Sequence, residues 1–507
     1  MTFTITFLIV FAIVLIAIGA YAARIRIATA EDYFVAGRTI GIIATLFGLM
    51  ATQMSAFIFM GMGSQAFLMG TGSFTQLIGD FVVMFIFFHV FRRAWQLGKA
   101  HGYITQADLL VDRYESPTFM RLFPSVLGIV AIIAGHFAIQ FIATGLIFNV
   151  ISRGALPYWF GVLFTAGIVL AIVLVGGFRA TAWTDILLGL WIVVSLLLIL
   201  VFTLNSLGMG LGAAFQTIAE KFPQMISPPG DSPPGRPPYW THAMIISWLI
   251  ILMGFPLYPH MWMRSYAARS DKTLAVTALA WVPLTYLVCF VPIVVGILAR
   301  LFWAGPQELG FPPDAVIAML VTRIVPAPWL IPIILAGALA AIISTINGSL
   351  IGISAMVTHD IIRSKISPGM PQEKAVWWGR LVVFAATVVA VLIALARLNF
   401  IYVLFISGTG IVTLFLVPLV GGLVWPRLNR QGATWGLLVS EIMLLWMTYG
   451  PKSLGGGFMN NPAWLGLPPT IWALIVEVVV TVVVTLTTEP PSKKVEEKFF
   501  SVAPAGE

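Results

Sequence analysis

This sequence predicts an all-α polytopic membrane protein, and three observations predict it: composition, the length of the apolar runs, and the placement of basic residues. Of 507 residues, 59% are hydrophobic and 9% charged, and mean hydropathy is +0.98. An ordinary soluble domain carries about 25% charge. Apolar runs of about 20 residues, the length a helix needs to cross a bilayer, recur from end to end. An outer-membrane barrel would instead show alternating segments of about ten. The net charge of +8 therefore reports loop placement and not a nucleic-acid partner. Cys289, the only cysteine, sits inside an apolar run, which excludes disulfides and cysteine metal sites.

The first run, residues 3–23, has no basic residue before it and is followed by Arg24 and Arg26. That charge order predicts a retained helix with its N-terminus outside, not a cleaved signal. Runs bounded by charge, Gly/Pro or Asn/Asp/Ser follow at about 41–66, 72–91, 123–150, 157–176, 182–204, 240–262, 274–302, 327–358, 376–396, 400–426, 433–449 and 466–487, giving thirteen spans. If the first span runs inward, 21 of the 28 Lys and Arg fall on the cytoplasmic side and 7 outside. This threefold bias supports both the count and the orientation. Residues 1–490 then form one transmembrane domain, and 491–507 a cytoplasmic tail too short to fold alone. The Pro/Gly-rich stretch SPPGDSPPGRPP lies in the longest outer loop, about 205–239, and predicts a surface connector.

Two spans look broken. The second places Gly48, Gly61 and Gly63 around Thr52-Gln53-Met54-Ser55, and the seventh holds Gly254-Phe255-Pro256 and Pro259. Proline removes a backbone donor and clashes with the preceding turn. The two segments are five spans apart, so they cross in opposite directions. That is the geometry of two inverted five-helix repeats, about 41–204 and 240–426, with binding sites at the breaks.

Five stretches carry a resemblance: EDYFVAGR at 31–38, ATQMSAFIFMG at 51–61, GGFRATAWTD at 176–185, YPHMWMR at 258–264, and ALAAIISTINGSLIGISAMVTHD at 338–360. In type and spacing the sequence resembles the sodium/solute symporter family, which includes sodium-coupled proline, pantothenate, sialic acid and sugar transporters. The resemblance runs from about residue 5 to the tail. It implies thirteen helices around a LeuT-like core in the cell membrane. The activity it implies is sodium-coupled uptake of a small polar organic solute by alternating access, the solute being a monocarboxylate, a pantothenate-like acid or an amino acid.

The resemblance also implies a sodium site. Carbonyls of Ala51 and Met54 on the first broken helix would be joined by the Ala341 carbonyl and the Ser344 and Thr345 hydroxyls, whose i, i+3, i+4 spacing places them on one helical face. Sodium is a hard cation that takes oxygen ligands, and these supply them without full charge. A plain alternative is that both hydroxyls bond back to carbonyls one turn earlier. Asp185, by the same resemblance, is a second sodium ligand or an inner gate, and otherwise a helix N-cap.

For the solute, His136 and Gln140 lie one turn apart where relatives place Tyr and Gln, and Gln53 and Ser55 sit on the break. Phe255, like Ile251, occupies a position where proline transporters have an aromatic residue of another type, which argues against proline. Asp80, well inside the third span, is a functional residue by default. Its expected partners are a substrate cation or His136, and the alternative is a protonated carboxyl bonded to nearby backbone. Proton coupling through Asp80 and His136 and a solute-sensing role are the rival functions. The tail's lack of a signalling domain counts against the sensor. Neither HExxH, a nucleophile elbow nor a Walker A stretch occurs, so neither an enzyme nor an ATP-driven pump is expected. Partners are the solute and membrane lipid, with no nucleic acid and no obligatory protein. Glu441 and Glu477 fall outside the repeats and are expected to make local helix contacts. Arg264 sits where the positive-inside rule alone would put an Arg.

Overall fold

The computed structural model describes residues 2–24, 29–152, 154–227, 241–396, 408–451 and 466–500. The Asp80 side chain lies outside the described residues, as do most of the Pro/Gly-rich connector and the start of the predicted eleventh span. Among the described residues all regular structure is helical, apart from one isolated bridge between Ile40 and Ala268.

The principal helices are α1 (Thr2–Ala22), α2 (Ile42–Gln53), α3 (Met62–Met69), α4 (Thr75–Phe85), α5 (Arg92–His101), α6 (Gln106–Tyr114), α7 (Phe119–Ile132), α8 (Ala138–Ile151) and α9 (Tyr158–Leu207). After the connector come α10 (His242–Leu252), α11 (Pro259–Ala267), α12 (Asp271–Leu298), α13 (Leu330–Ala355), α14 (Gln372–Leu395), α15 (Gly408–Val424), α16 (Arg430–Tyr449), α17 (Pro469–Thr487) and α18 (Lys493–Phe500). Eight described helical runs are long and apolar enough to cross a membrane, nine if the bent pair α10/α11 counts as one. This is fewer than the thirteen expected, in part because one continuous run covers two expected spans and in part because Ile42–Gln53 and Gly408–Val424 are shorter helices. Residues Tyr158–Leu207 form one run through two predicted spans, yet the chain turns at Gly177, whose φ of 54° and ψ of −145° are not helical. A Cβ there would lie 2.8 Å from the Tyr33 carbonyl oxygen, so glycine is required twice over, for conformation and for space.

The centre of the bundle is α13. In its most apolar window 89% of residues are buried, against 28% for α1. Its small residues explain this placement, because Gly, Ala and Ser let neighbouring backbones approach closely in a membrane. A Cβ on Gly348 would lie 2.8 Å from the Thr52 side chain, and one on Gly352 2.9 Å from that of His260. Thus α13 packs against both broken helices, α2 and α11, and also against α8 and α9. At the periphery, α16 and α17 pack chiefly on each other.

Candidate functional site

Both predicted breaks are present. Helix α2 ends at Gln53, and Met54, with φ −70° and ψ 71°, leaves the helical path. Ser55 holds the turn, its hydroxyl accepting the Phe57 N–H at 3.2 Å. Gln140 reaches across from α8: its Oε1 accepts the Ala56 N–H at 2.8 Å while its Nε2 donates to the His136 carbonyl at 2.8 Å. A side chain thereby satisfies backbone that the break has freed. The second break lies between α10 and α11, which meet at 53°. Pro256 and Pro259 account for it. Thr413 of α15 donates to the Ile251 carbonyl there at 3.2 Å.

Beside the first break, the Thr345 hydroxyl lies 2.9 Å from the Thr52 carbonyl oxygen and 2.9 Å from that of Ala341. The back-bond to the preceding turn is therefore made, and a carbonyl of the broken helix is brought to the same hydroxyl. That carbonyl belongs to Thr52, between the predicted Ala51 and Met54. Ser344 is fully buried, and its hydroxyl lies on the Asp185 side of this cluster. A buried hydroxyl next to two carbonyls and a second hydroxyl is an oxygen set suited to a hard monovalent cation.

Asp185 is not a helix cap. It lies inside α9, about two turns beyond Gly177, and it is fully buried and ion-paired to Arg264 of α11 at 2.8 Å. Nor is Arg264 a surface cation obeying loop charge bias, since its side chain is only 3% exposed. Two glycines make room for it: a Cβ at Gly48 would lie 2.6 Å from one guanidinium nitrogen, and one at Gly348 3.2 Å from another. Asp185 also faces Ser344, so the pair borders the hydroxyl cluster.

A small closed cavity of about 20 Å³ lies between the two breaks, lined among others by Gln53, Phe57, Gln76, Leu252, Phe255 and Cys289. That volume admits about one water. The structure thus brings Gln53 and Phe255 to one cavity, together with Gln76 and Cys289. The Oε1 atoms of Gln53 and Gln76 have no hydrogen-bond partner. His136 sits in a π-helical turn, Ile133–Phe137, a distortion frequent at functional sites. Its ring centre is 5.8 Å from Phe255, 5.0 Å from Tyr258 and 5.1 Å from His260. Gln140 and Ser55 serve the break and do not line the cavity. Sequence reasoning passed over Gln76, although a Gln four residues before Asp80 on one apolar helix was a visible signal.

At the end of the bundle where α13 emerges, Asp108 of α6 accepts the Ile104 and Thr105 N–H groups at 2.8 and 3.1 Å. Arg121 bridges Asp108 at 2.7 Å and Asp360 at 3.1 Å, and His359 Nε2 lies 3.0 Å from Asp108. Ser125 and Thr105 donate to Asp360 at 2.9 and 2.8 Å. Burial alone would raise the Asp108 carboxyl, but His359 and Arg121 hold it below the usual carboxylate range. Asp108, His359 and Asp360 are close enough to share a metal ion, yet Arg121 already supplies the positive charge. The network ties α13 to α6 and α7.

A profile of the sodium:solute symporter family matches residues 33–440. The sodium/pantothenate symporter of Escherichia coli (strain K12) is 26% identical over 446 residues, covering 86% of this chain and 88% of that protein. The sodium/proline symporter of the same strain is 23% identical over 486 residues, with 92% and 90% covered. A solved substrate-bound, outward-open Na+-coupled sialic acid symporter superposes with a TM-score of 0.78 at 20% identity, covering 97% of this chain and 99% of that one. A nucleobase-cation-symport-1 family transporter in a closed conformation gives 0.55 at 13% identity, with 93% and 98% covered. These last two likenesses establish a shared transporter fold. With a profile match over most of its length, two broken helices at its centre and an oxygen cluster between them, the chain belongs to the sodium:solute symporter family, a family of membrane transporters and not of enzymes.

Proposed function

We propose that this protein is a sodium-coupled symporter that carries a small polar organic solute into the cell by alternating access. The observation that carries this reading is the meeting of the Thr345 hydroxyl with carbonyls of Thr52 and Ala341 beside the buried Ser344 hydroxyl. In this reading Ala51, Met54, Ala341, Ser344 and Thr345 hold the ion. Asp185 acts as an inner gate and not as a second ion ligand, because Arg264 already neutralises it. The thirteen-span count, the inverted repeats at about 41–204 and 240–426, the outside N-terminus and the cytoplasmic C-terminus belong to the same proposal, supported by the charge distribution.

Gln53, Gln76, His136, His260 and Phe255 surround the solute path. These amide and imidazole groups beside an aromatic face suit a monocarboxylate, a pantothenate-like acid or an amino acid. The cavity admits about one water, so solute binding must separate the two breaks. The driving force is adequate: one charge crossing 100 mV supplies about 2.3 kcal/mol, and a tenfold sodium gradient adds about 1.4 kcal/mol. Together they sustain accumulation of roughly a few hundredfold.

The test needs no knowledge of the solute. Thermal unfolding of the purified protein is followed while sodium is titrated against potassium and choline at constant ionic strength. The expected result is a saturable, sodium-specific rise in midpoint, worth about 2.7 kcal/mol at a hundred times Kd, that Ser344→Ala with Thr345→Ala abolishes. A flat response in the native protein removes the sodium assignment and directs attention to pH-driven transport through Asp80 and His136.

A further inference from the structure

We propose that α18 is a strap that fastens α5 and α6 over one end of the bundle and restrains opening of the central cavity toward that end. The helix is amphipathic: Val495 and Phe499 are buried, while Lys493, Lys494, Glu496 and Glu497 are exposed. It is stitched to α5 and α6 by contacts of three kinds. Arg93 donates to the Phe499 carbonyl at 2.5 Å. Lys498 pairs with Asp112, which also accepts the Tyr103 hydroxyl at 2.6 Å. The Arg113 guanidinium lies 5.8 and 5.4 Å from the Phe499 and Phe500 rings.

The far ends of these connections give the strap its leverage. On one side, α5 and α6 touch α13, which carries the ion-site hydroxyls, and α11, the half-helix after the second break. Asp108 and Arg121 grip the end of α13 through His359 and Asp360. A Cβ on Gly98 of α5 would lie 2.7 Å from the Tyr266 ring at the end of α11, and Arg38 donates both to the Tyr266 carbonyl at 3.3 Å and to the Tyr103 carbonyl at 2.6 Å. Any separation of α11 from α13 at this end therefore has to move α5 and α6. On the other side, the segment leading into α18 is anchored at the α15–α16 connection. Asn429 donates to the Thr488 hydroxyl at 2.7 Å and the Glu489 carbonyl at 2.6 Å, and Arg427 to the Thr488 carbonyl at 3.0 Å. Arg113 itself donates to the Gly422 carbonyl at 2.6 Å. The strap thus joins elements tied to the ion-site helices to helices at the periphery. Its ion pair is part-exposed, with side-chain exposures of 25% and 33%, so the fastening is of a strength that can be released.

The chain carries its own reporter. Cys289 is its sole thiol, is 2% exposed and lines the central cavity, so a water-soluble maleimide reaches it only when the cavity opens. The experiment measures the rate of Cys289 alkylation in the purified full-length protein, with the thermal midpoint confirming the fold of each variant. Phe499→Ala with Phe500→Ala is expected to raise the rate more than about tenfold, and Lys498→Glu up to about fivefold. The exchange of Asp112→Lys with Lys498→Asp is expected to return it to near the native rate. An unchanged rate in Lys498→Glu together with the native-like rate of the aromatic variant overturns the strap, as does an exchange that leaves the rate as high as Lys498→Glu alone. If the aromatic variant does not fold, the two charge variants decide. The direction of the restrained opening rests on the transport reading, but the labelling rate requires neither sodium nor solute. A faster rate without any sodium-induced midpoint shift keeps the strap and removes the ion site. The converse result keeps the ion site and removes the strap.

Discussion

The centre of the bundle and the α16–α17 hairpin both bury acidic side chains at membrane depth, and they treat them in opposite ways. At the centre Asp185 and Arg264, 79 residues apart, form a 2.8 Å pair. In the hairpin Glu441 and Glu477 are 1% and 0% exposed, and none of their four carboxyl oxygens has a hydrogen-bond partner. Close backbone approach holds the hairpin instead: a Cβ on Gly432 would lie 2.9 Å from the Thr481 carbonyl oxygen, and one on Gly436 3.2 Å from that of Glu477. Polar content within an apolar helix therefore does not identify a site. Convergence of polar groups from segments distant in sequence does.

The comparison breaks or sharpens in four tests. Arg264→Ala leaves Asp185 buried without its cation, and removing one member of a buried pair costs about 3–5 kcal/mol. We expect the largest fall in thermal midpoint here, with Arg264→Gln plus Asp185→Asn recovering much of it. A fall no greater than that of a hairpin carboxyl variant would erase the distinction between the two regions. Gly177→Ala comes next, at about 1–3 kcal/mol, because the turn needs a positive φ and lies against Tyr33. Denaturation that is unchanged by this substitution would refute the turn.

Asp108→Asn tests the ionic network outside the central site, and its expected cost at neutral pH is about 1–3 kcal/mol. The folded protein holds the Asp108 carboxyl below its ordinary range, so its stabilisation is complete above the ordinary carboxylate pKa of about 3.9 and is lost as pH falls below that value. Midpoints measured between about pH 6 and pH 3 should therefore fall more steeply in the native protein than in Asp108→Asn. Parallel curves would show that Asp108 contributes nothing. The smallest effect is expected from Glu441→Gln with Glu477→Gln: a change within about 1 kcal/mol and an unaltered sodium-dependent shift. Loss of that shift would move the hairpin into the ion site.

Particular residues show how far the sequence could be read. The break at Met54–Ser55 was legible because a polar cluster flanked by glycines cannot continue an apolar helix comfortably, and the break at Gly254–Pro259 because proline removes a donor. Ser344 and Thr345 were singled out by the family resemblance, and their spacing placed them on one helical face. Gln140 was read as facing the solute; in the structure it holds the backbone of Ala56 and His136. Asp185 was read as a sodium ligand, an inner gate or a helix cap, and Arg264 as a cation placed by loop charge bias. Either reading satisfies local rules for helix ends and loop charge, and nothing local reports that the two meet.

The sequence by itself determined a polytopic helical protein, the two interruptions, the small-residue character of the central helix and the family motifs. Each is a property of composition or of spacing within one segment, where helical periodicity and the cost of bare backbone in lipid leave few alternatives. Tertiary structure alone decided that Arg264 neutralises Asp185, that Thr52 supplies the carbonyl facing Thr345, that Gln76 and Cys289 share a cavity with Gln53, and that α18 grips α6. Each of these joins segments far apart in the chain. Which side chains meet across such a distance depends on how all the helices pack together, because a buried charge or hydroxyl takes whatever partner the packing brings within hydrogen-bonding range.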